Sequence, residues 1–298
     1  MRLINPYFEI LEQEPTIEGM YKQIELAGRT CYKSEDKITE TSAKEFVDRM
    51  VASGHGAMLE HGTVYLEIHG YADSALYIED TEHSRCAFDD DGDVLITTNF
   101  RVLVENNRID DLKYWHYSDL HPRRYTVKWH CSRGIDDEFF RHRTLARVDD
   151  WHEFSYAQES TRYCNYSKDK FNNEVTFVIP REFHTLIKEG HYDEDTIASF
   201  VDENNNCAES WFLWAMFDAE NQYLDIINPN NTRKITPQVA RDVLPLATKS
   251  DLVMTGFLDN WEHFFELRTD KAAHPDAKYL ADNLAWEFYK RNYFDRLY

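Results

Sequence analysis

An α+β fold follows from three observations. Runs with a helical apolar period recur along the chain. A few short runs of strand character are scattered between them. Hydrophobic residues make up 42% of 298 positions, enough to bury one large core or two small ones. Taken in order, Thr41 or Ser42 caps a predicted helix that runs to Ser53. Ala43, Phe46, Val47, Met50 and Val51 form its apolar face, and Gly54 stops it. Thr63 to Ile68 alternates like a strand. Residues 71–121 read as an insertion, with a turn at Asp91-Gly92 and a strand or hairpin arm in "VLITTNFRVLV". Residues 125–132 read as a strand and Asp136 to Arg143 as a helix. A long amphipathic helix is predicted from Thr196 to Ile227, followed by the loop "NPNNT". "PQVARDVLP" is a short helix opened by Pro237 and ended before Pro245. Two more helices are predicted at 257–268 and 277–291. The whole chain, 1–298, is expected to form a single domain.

Composition narrows the function. The formal net charge is -21, which argues against general nucleic-acid binding but leaves room for a local basic pocket. Such a pocket is visible. From Pro122 to Arg147 there are seven basic and three acidic residues, a local balance of 7 - 3 = +4. No apolar run reaches the roughly 18 residues of a membrane span, and the start of the chain lacks the form of a signal peptide. No membrane association and a cytoplasmic location are the expectations. The cysteines, Cys31, Cys86, Cys131, Cys164 and Cys207, are odd in number, scattered and without a Cys-x-x-Cys pair, which predicts reduced thiols.

Several motifs fail. "GHGAML" lacks the third glycine of a dinucleotide loop. "FDDDGD" has Ala87 where a calcium loop needs its first ligand, so a solvated hairpin turn is the better reading. The thirteen histidines show no ligand spacing in sequence, and no metal is expected. There is no G-x-S-x-G elbow and no phosphate-binding P-loop.

The stretch "FFRHRTLARVDDWHEFSYAQESTRY" holds most promise. Read as extended chain, Gln158, Ser160 and Arg162 project to one face at steps of about 7 Å. An amide, a hydroxyl and a guanidinium suit an anionic, hydrogen-bonding ligand such as a nucleoside phosphate, and Arg141 and Arg143 add fork-shaped donors. A solvated strand with surface arginines fits the same spacing. Arg268, taken alone, reads as a helix-terminal surface arginine, and His55 as a capping residue at a helix end. Glu60 and His61 pair with each other on the plainest reading.

These residues also carry a family resemblance. Arg141-His142-Arg143, then Ser155, Gln158, Ser160, Arg162 and Tyr163, resemble the signature of the flavin-dependent thymidylate synthases. That signature is Arg-His-Arg, a spacer, then Ser-x-Asn-Glu/Gln-x-Ser-x-Arg-Tyr. Ala157 stands where Asn is usual, and "TLARVDDWHEF" makes the spacer about nine residues longer than in the family pattern. "GRTCYKSE", "SGHGAMLEH", "CSRGIDDEFFRHR", "PQVARDVLP" and "TGFLDNWEHFFELR" resemble further family segments, in family order. Phe257, Asp259 and His263 depart from the residues usual there.

The resemblance implies a mixed or antiparallel sheet with long helices, interrupted by the β-rich insertion. It implies methylation of dUMP to dTMP, with methylenetetrahydrofolate as carbon donor, NADPH as reductant and FAD as relay. It implies Glu138, Arg141, Gln158, Ser160, Arg162, Arg241 and Arg268 as dUMP-binding residues, with Arg268 also catalytic. His55, Ala57, Arg141, His142, Arg143, Gln158, Phe257 and His263 are implied on the FAD side, and a homotetramer with shared sites. The conventional thymidylate synthase primes uracil with a cysteine set in Pro-Cys-His. None of the five cysteines here lies between Pro and His. Two alternatives stay open: a flavin- or folate-dependent hydroxymethylase of a deoxypyrimidine nucleotide, and an acidic binding protein that mimics nucleic acid.

Overall fold

The computed structural model describes residues 1–79, 83–143 and 154–294. The elements run β1 (Arg2–Ile4), β2 (Tyr7–Leu11), α1 (Ile17–Tyr32), α2 (Ser42–Ser53), α3 (Gly56–Leu59), β3 (Thr63–Ile68), α4 (Tyr71–Glu79), β4 (Arg85–Phe88), β5 (Val94–Asn99) and α5 (Phe100–Glu105). They continue with β6 (Arg124–Ser132), α6 (Arg133–Phe140), β7 (Ser155–Gln158), β8 (Thr176–Val178), β9 (Gly190–His191), α7 (Glu194–Asn204), α8 (Ala208–Ile227), α9 (Pro237–Ala240), β10 (Lys249–Phe257), α10 (Leu258–Arg268) and α11 (Pro275–Lys290). The fold is α+β, as expected.

The central sheet is antiparallel, in the order β2-β6-β10-β7. β10 lies between β6 and β7 and is buried along almost its whole length. The sequence reading missed this strand. Its two faces differ in kind: Leu252 and Met254 enter an aromatic core with Trp129, Phe139, Trp261, Phe264 and Phe288, while Val253 meets Ala27 and Ala157 under α1. A strand covered on both sides loses the apolar-polar alternation by which strands are recognised. Truncating a ring such as Trp261, fully buried here, is expected to cost about 3–5 kcal/mol.

Residues 71–121 contribute to a second sheet, β3-β5-β4, antiparallel throughout. "FDDDGD" forms the turn between β4 and β5, with Gly92 at φ 83. The predicted arm "VLITTNFRVLV" is strand only as far as Asn99. The Asn99 side chain accepts a hydrogen bond from the Val102 main chain and starts α5, so the run changes period at its cap. The third sheet, β8-β1-β9, packs with α7 and α8 on a separate cluster around Leu3, Phe177 and Tyr223.

The predicted helix 196–227 is two helices, α7 and α8. Asn205 adopts φ 61 between them, and its carbonyl accepts the Ser210 hydroxyl. Asparagine tolerates positive φ better than most residues and competes for backbone hydrogen bonds, so "ENNNC" breaks a helix that apolar periodicity alone would continue. The helices predicted at 41–53, 136–143, 257–268 and 277–291 form with small shifts at their ends, and "PQVARDVLP" gives the four-residue α9 followed by a 3₁₀ turn over Arg241–Val243. Among the described residues no helix is long and apolar enough to cross a membrane.

Candidate functional site

Arg268 ends α10 and turns its guanidinium toward the last turn of α6. It donates from Nη1 to the Glu138 carboxylate at 2.7 Å, from Nη2 to the Glu138 main-chain carbonyl, and from Nε to His142 Nε2 at 2.7 Å. It is therefore not a free surface arginine. Accepting at Nε2 requires the neutral imidazole with its proton on Nδ1. Burial first, then the charge of Arg268, then His263, lowers the His142 pKa to about 3. His142 is 1% exposed, and its Nδ1 has no hydrogen-bond partner among the described residues. Glu138, Arg141, Arg268 and His274 line a cavity of about 680 Å³, within the size range of small-ligand sites.

Gln158 closes β7 and donates to Asp136 Oδ2 at 2.8 Å. Asp136 is fully buried in α6. Burial raises its pKa to about 6, against hydrogen bonds from Ser250, Gln158 and Cys131. The predicted extended segment 155–163 is strand only through Gln158. Beyond it the chain turns, with the Tyr163 and Cys164 amides donating to the Ser160 carbonyl. Burial alternates through the turn nonetheless. Ala157, Glu159 and Thr161 point inward, Gln158 and Ser160 are half-buried, and Arg162 is exposed over the Tyr163 ring.

Arg241 donates to Thr161 Oγ1 at 3.0 Å and lines a second cavity of about 360 Å³ with Arg133 and Asp137. His55 and Ala57 line a third, of about 430 Å³, with Cys31, Tyr32, Gly56 and Arg101. The Ser160 amide donates to the Cys31 carbonyl, and Tyr163 lies 5.3 Å from Tyr32, so the 160–163 turn borders both. A side chain at Gly56 would meet Arg101 Nε at 3.0 Å, which keeps that wall clear. Within one chain, then, Arg268 and Arg241 face different cavities across α6, and Arg162 stands apart on the surface.

Some expectations change. Gly54, not His55, caps α2 in the left-handed conformation, and His55 precedes α3. Glu60 pairs with Arg101 at 2.5 Å, and buried His61 bonds through Nδ1 to Thr255 Oγ1 at 2.8 Å, so the two do not pair with each other. The Phe257 ring, 5% exposed, has the guanidinium groups of Arg85 and Arg124 at 4.8 and 5.4 Å from its centroid. His263 packs edge-on to His142 at 6.2 Å. The Arg143 side chain and the spacer 144–153 lie outside the described residues. Asp136, Arg133, Thr161 and Arg101 join these surroundings without having been singled out. Asp136, Arg133 and Thr161 lie in or beside the signature, whereas Arg101 lies far before it and is recruited only by tertiary contact.

Four of the five thiols are held protonated by burial. Burial pushes Cys31 and Cys164 up to about 12 and Cys86 to about 11, and raises Cys131 well above its ordinary value. A thiolate is the reactive form, so these four stay inert near neutrality.

Residues 96–291 match the family described as thymidylate synthase complementing protein. A protein named flavin-dependent thymidylate synthase from Corynebacterium diphtheriae is 25% identical over 260 residues, 87% of this chain and 70% of that protein. Its namesake from Mycobacterium tuberculosis is 22% identical over 260 residues, 87% of this chain and 71% of that protein. A solved UMP/dUMP methylase, PolB from Streptomyces cacaoi bound with 5-Br dUMP, overlays at a TM-score of 0.43 with 17% identity. It covers 97% of this chain and 93% of its own, an overlay too loose to position a residue.

Proposed function

The chain belongs to the thymidylate synthase complementing protein family, and from that premise we propose that it is a flavin-dependent thymidylate synthase that methylates dUMP to dTMP. The observation that carries this reading is the fixing of Arg268 at the edge of a ligand-sized cavity by Glu138 and neutral His142. A guanidinium held in place before a ligand arrives stabilises charge that develops on the pyrimidine carbonyls as C5 becomes nucleophilic. Such preorganised donors typically lower a barrier by about 3–4 kcal/mol. Glu138 accepts from Arg268 Nη1 and so orients the guanidinium plane. Protonated thiols at Cys31, Cys86, Cys131 and Cys164 favour a route without a cysteine nucleophile.

Arg162, Ser160 and Arg241 are assigned to the nucleotide, the arginines to its phosphate, where planar forks match the oxygens. Arg141 and Gln158 lie between the nucleotide and the cofactor. A flavin fits the residues present: buried His142 Nδ1 has a proton to donate and no protein acceptor among the described residues, and the wall at Gly56 is kept clear. His55, Ala57, Arg141, His142, Arg143, Phe257 and His263 are assigned to hold it. Bound FAD supplies the electrons, drawn from NADPH, that reduce the one-carbon unit delivered by methylenetetrahydrofolate. Because Arg162, Arg241 and Arg268 open to different places in one chain, the reading requires copies of the chain to complete each site, as in a homotetramer.

Two experiments test this. Anaerobic turnover of dUMP with methylenetetrahydrofolate and NADPH is expected to need FAD and to yield dTMP by mass. A product heavier by one oxygen transfers the reading to a hydroxymethylase, and no product with a colourless protein ends it. Mixing and reassembling inactive Arg162→Ala and Arg268→Ala proteins is expected to restore part of the activity, because some sites then draw Arg162 from one parent chain and Arg268 from the other. No recovery rejects the shared site.

A further inference from the structure

A group of metal-ligating side chains lies in the second sheet, away from every cavity described above. Glu67 sits near the end of β3, His69 just beyond it, and Asp93 immediately before β5, whose first residue Val94 pairs with Ile68. One potential ligand atom from each of Glu67, His69 and Asp93 lies within 4.8 Å of the other two. His69 Nδ1 is 2.5 Å from Asp93 Oδ1. A fourth residue, His116, places Nε2 3.3 Å from Glu67 Oε2. Its backbone is tied to the same sheet, the His116 amide donating to the Tyr65 carbonyl at 3.2 Å beside a Leu66–Trp115 bridge.

We propose that Glu67, His69 and Asp93 form a three-ligand site for a divalent transition-metal ion of the zinc class. His116 holds the Glu67 carboxylate from outside, and a fourth coordination position stays open to solvent. An imidazole with two carboxylates is a donor set that zinc, cobalt and nickel accept, whereas magnesium and calcium prefer oxygen alone. In a tetrahedral shell with bonds near 2.0–2.1 Å, neighbouring donors sit about 3.3–3.4 Å apart. Closing the present group onto an ion therefore needs shifts of roughly 1 Å, and the His69 side chain, 77% exposed, is free to swing by that amount. Asp93 is only 17% exposed and Glu67 26%, so the two carboxylates are the fixed part of the site and the imidazole its closing part. Metal-bound carboxylates are commonly steadied by an outer hydrogen-bond partner, the position His116 holds. Asp89, Asp90 and Asp91 in the adjoining turn add negative potential that favours a cation. The group comes together because strand pairing brings Asp93 beside the Glu67–His69 segment, with His116 added from a third.

The test uses the full-length, chelator-washed protein titrated with zinc chloride, with magnesium chloride as control. One zinc per chain is expected, with no magnesium binding. His69→Ala and Asp93→Asn are each expected to weaken zinc at least tenfold, and His116→Ala by about 10–100-fold as an outer-sphere loss. X-ray absorption of the zinc-loaded wild type is expected to show nitrogen and oxygen ligands with imidazole scattering and no sulfur. This readout does not depend on how the variants fold. Wild-type zinc affinity in both His69→Ala and Asp93→Asn, sulfur in the first shell, or no zinc bound at all overturns the proposal. Because neither dUMP nor flavin takes part, these outcomes are independent of the methylation reading.

Discussion

Two cationic clusters in this molecule have opposite fates. Under α1, Lys33, Lys128 and Lys249 converge on Asp251, which is fully buried, and on Glu35 and Glu159. His130 Nδ1 adds a contact to Asp251 at 2.7 Å, and Tyr166 donates to Glu159 at 3.0 Å. Burial alone would raise the Asp251 carboxyl. The hydrogen bond from His130 and the charges of Lys249, His130 and Lys33 overturn it and hold the group far below the usual carboxylate range. Around the signature, by contrast, Arg141 and Arg162 make no ion pair among the described residues, and both are exposed. The lysine cluster is closed, because each cation already has its carboxylate inside the chain. The arginine cluster is open. The lesson is that a local excess of positive charge marks a binding surface only where the fold leaves it unneutralised, which residue counting cannot decide.

The comparison can be broken at its strongest point. Replacing Asp251 by Ala leaves three lysines facing one another without their shared anion, and about 3–5 kcal/mol of stability should be lost. Chemical denaturation measures it; a loss under 1 kcal/mol means the network is not closed in the way described. At the proposed catalytic position, Arg268→Ala should lower kcat about 10²–10³-fold while the flavin stays bound and the circular dichroism spectrum is kept. Turnover near that of the unaltered enzyme removes Arg268 from its catalytic role.

A pH series sharpens the contrast between buried neutral groups and buried charges. Burial, opposed by Glu60, lowers His61 to about 4, and His142 lies at about 3, both from an ordinary 6.5. Below 6.5 the unfolded chain takes up protons there that the folded chain refuses. Stability is therefore complete above about pH 6.5 and declines as pH falls through 4 toward 3. Asp136 works the other way, since its folded carboxyl protonates near 6 and the unfolded one near 3.8. Two imidazoles outweigh one carboxyl, so denaturation midpoints should fall from pH 7 to pH 4, less steeply in His61→Gln. A steady rise over that range contradicts this assignment. The smallest expected effect is Arg162→Lys, which keeps the charge but loses the fork. It should raise KM for dUMP about tenfold with kcat little changed, and an unchanged KM takes Arg162 off the phosphate.

Much of the site was legible because its members are short, spaced motifs. Arg141, His142, Gln158, Ser160 and Arg162 could be named from one stretch, and Arg241 and Arg268 from two others. What they bond to was not. The His142 acceptor for Arg268, the Asp136 partner of Gln158 and the Thr161 partner of Arg241 lie 126, 22 and 80 positions away in the chain. The surroundings of Phe257 were hidden for the same reason, as they come from Arg85 and Arg124 on other strands.

By itself the sequence determined the α+β class, most of the helices, the hairpin turn at Asp91-Gly92 and the family. These follow from local propensity and from motifs within a few dozen residues. Only the tertiary structure decided that β10 sits inside the central sheet, that Lys33, Lys128 and Lys249 are neutralised while Arg141 and Arg162 are not, and that Glu67, His69 and Asp93 meet. Burial and charge pairing are sums over neighbours distant in the chain. No window of sequence contains the desolvation that pushes the His142 imidazole down and raises the cysteine thiols.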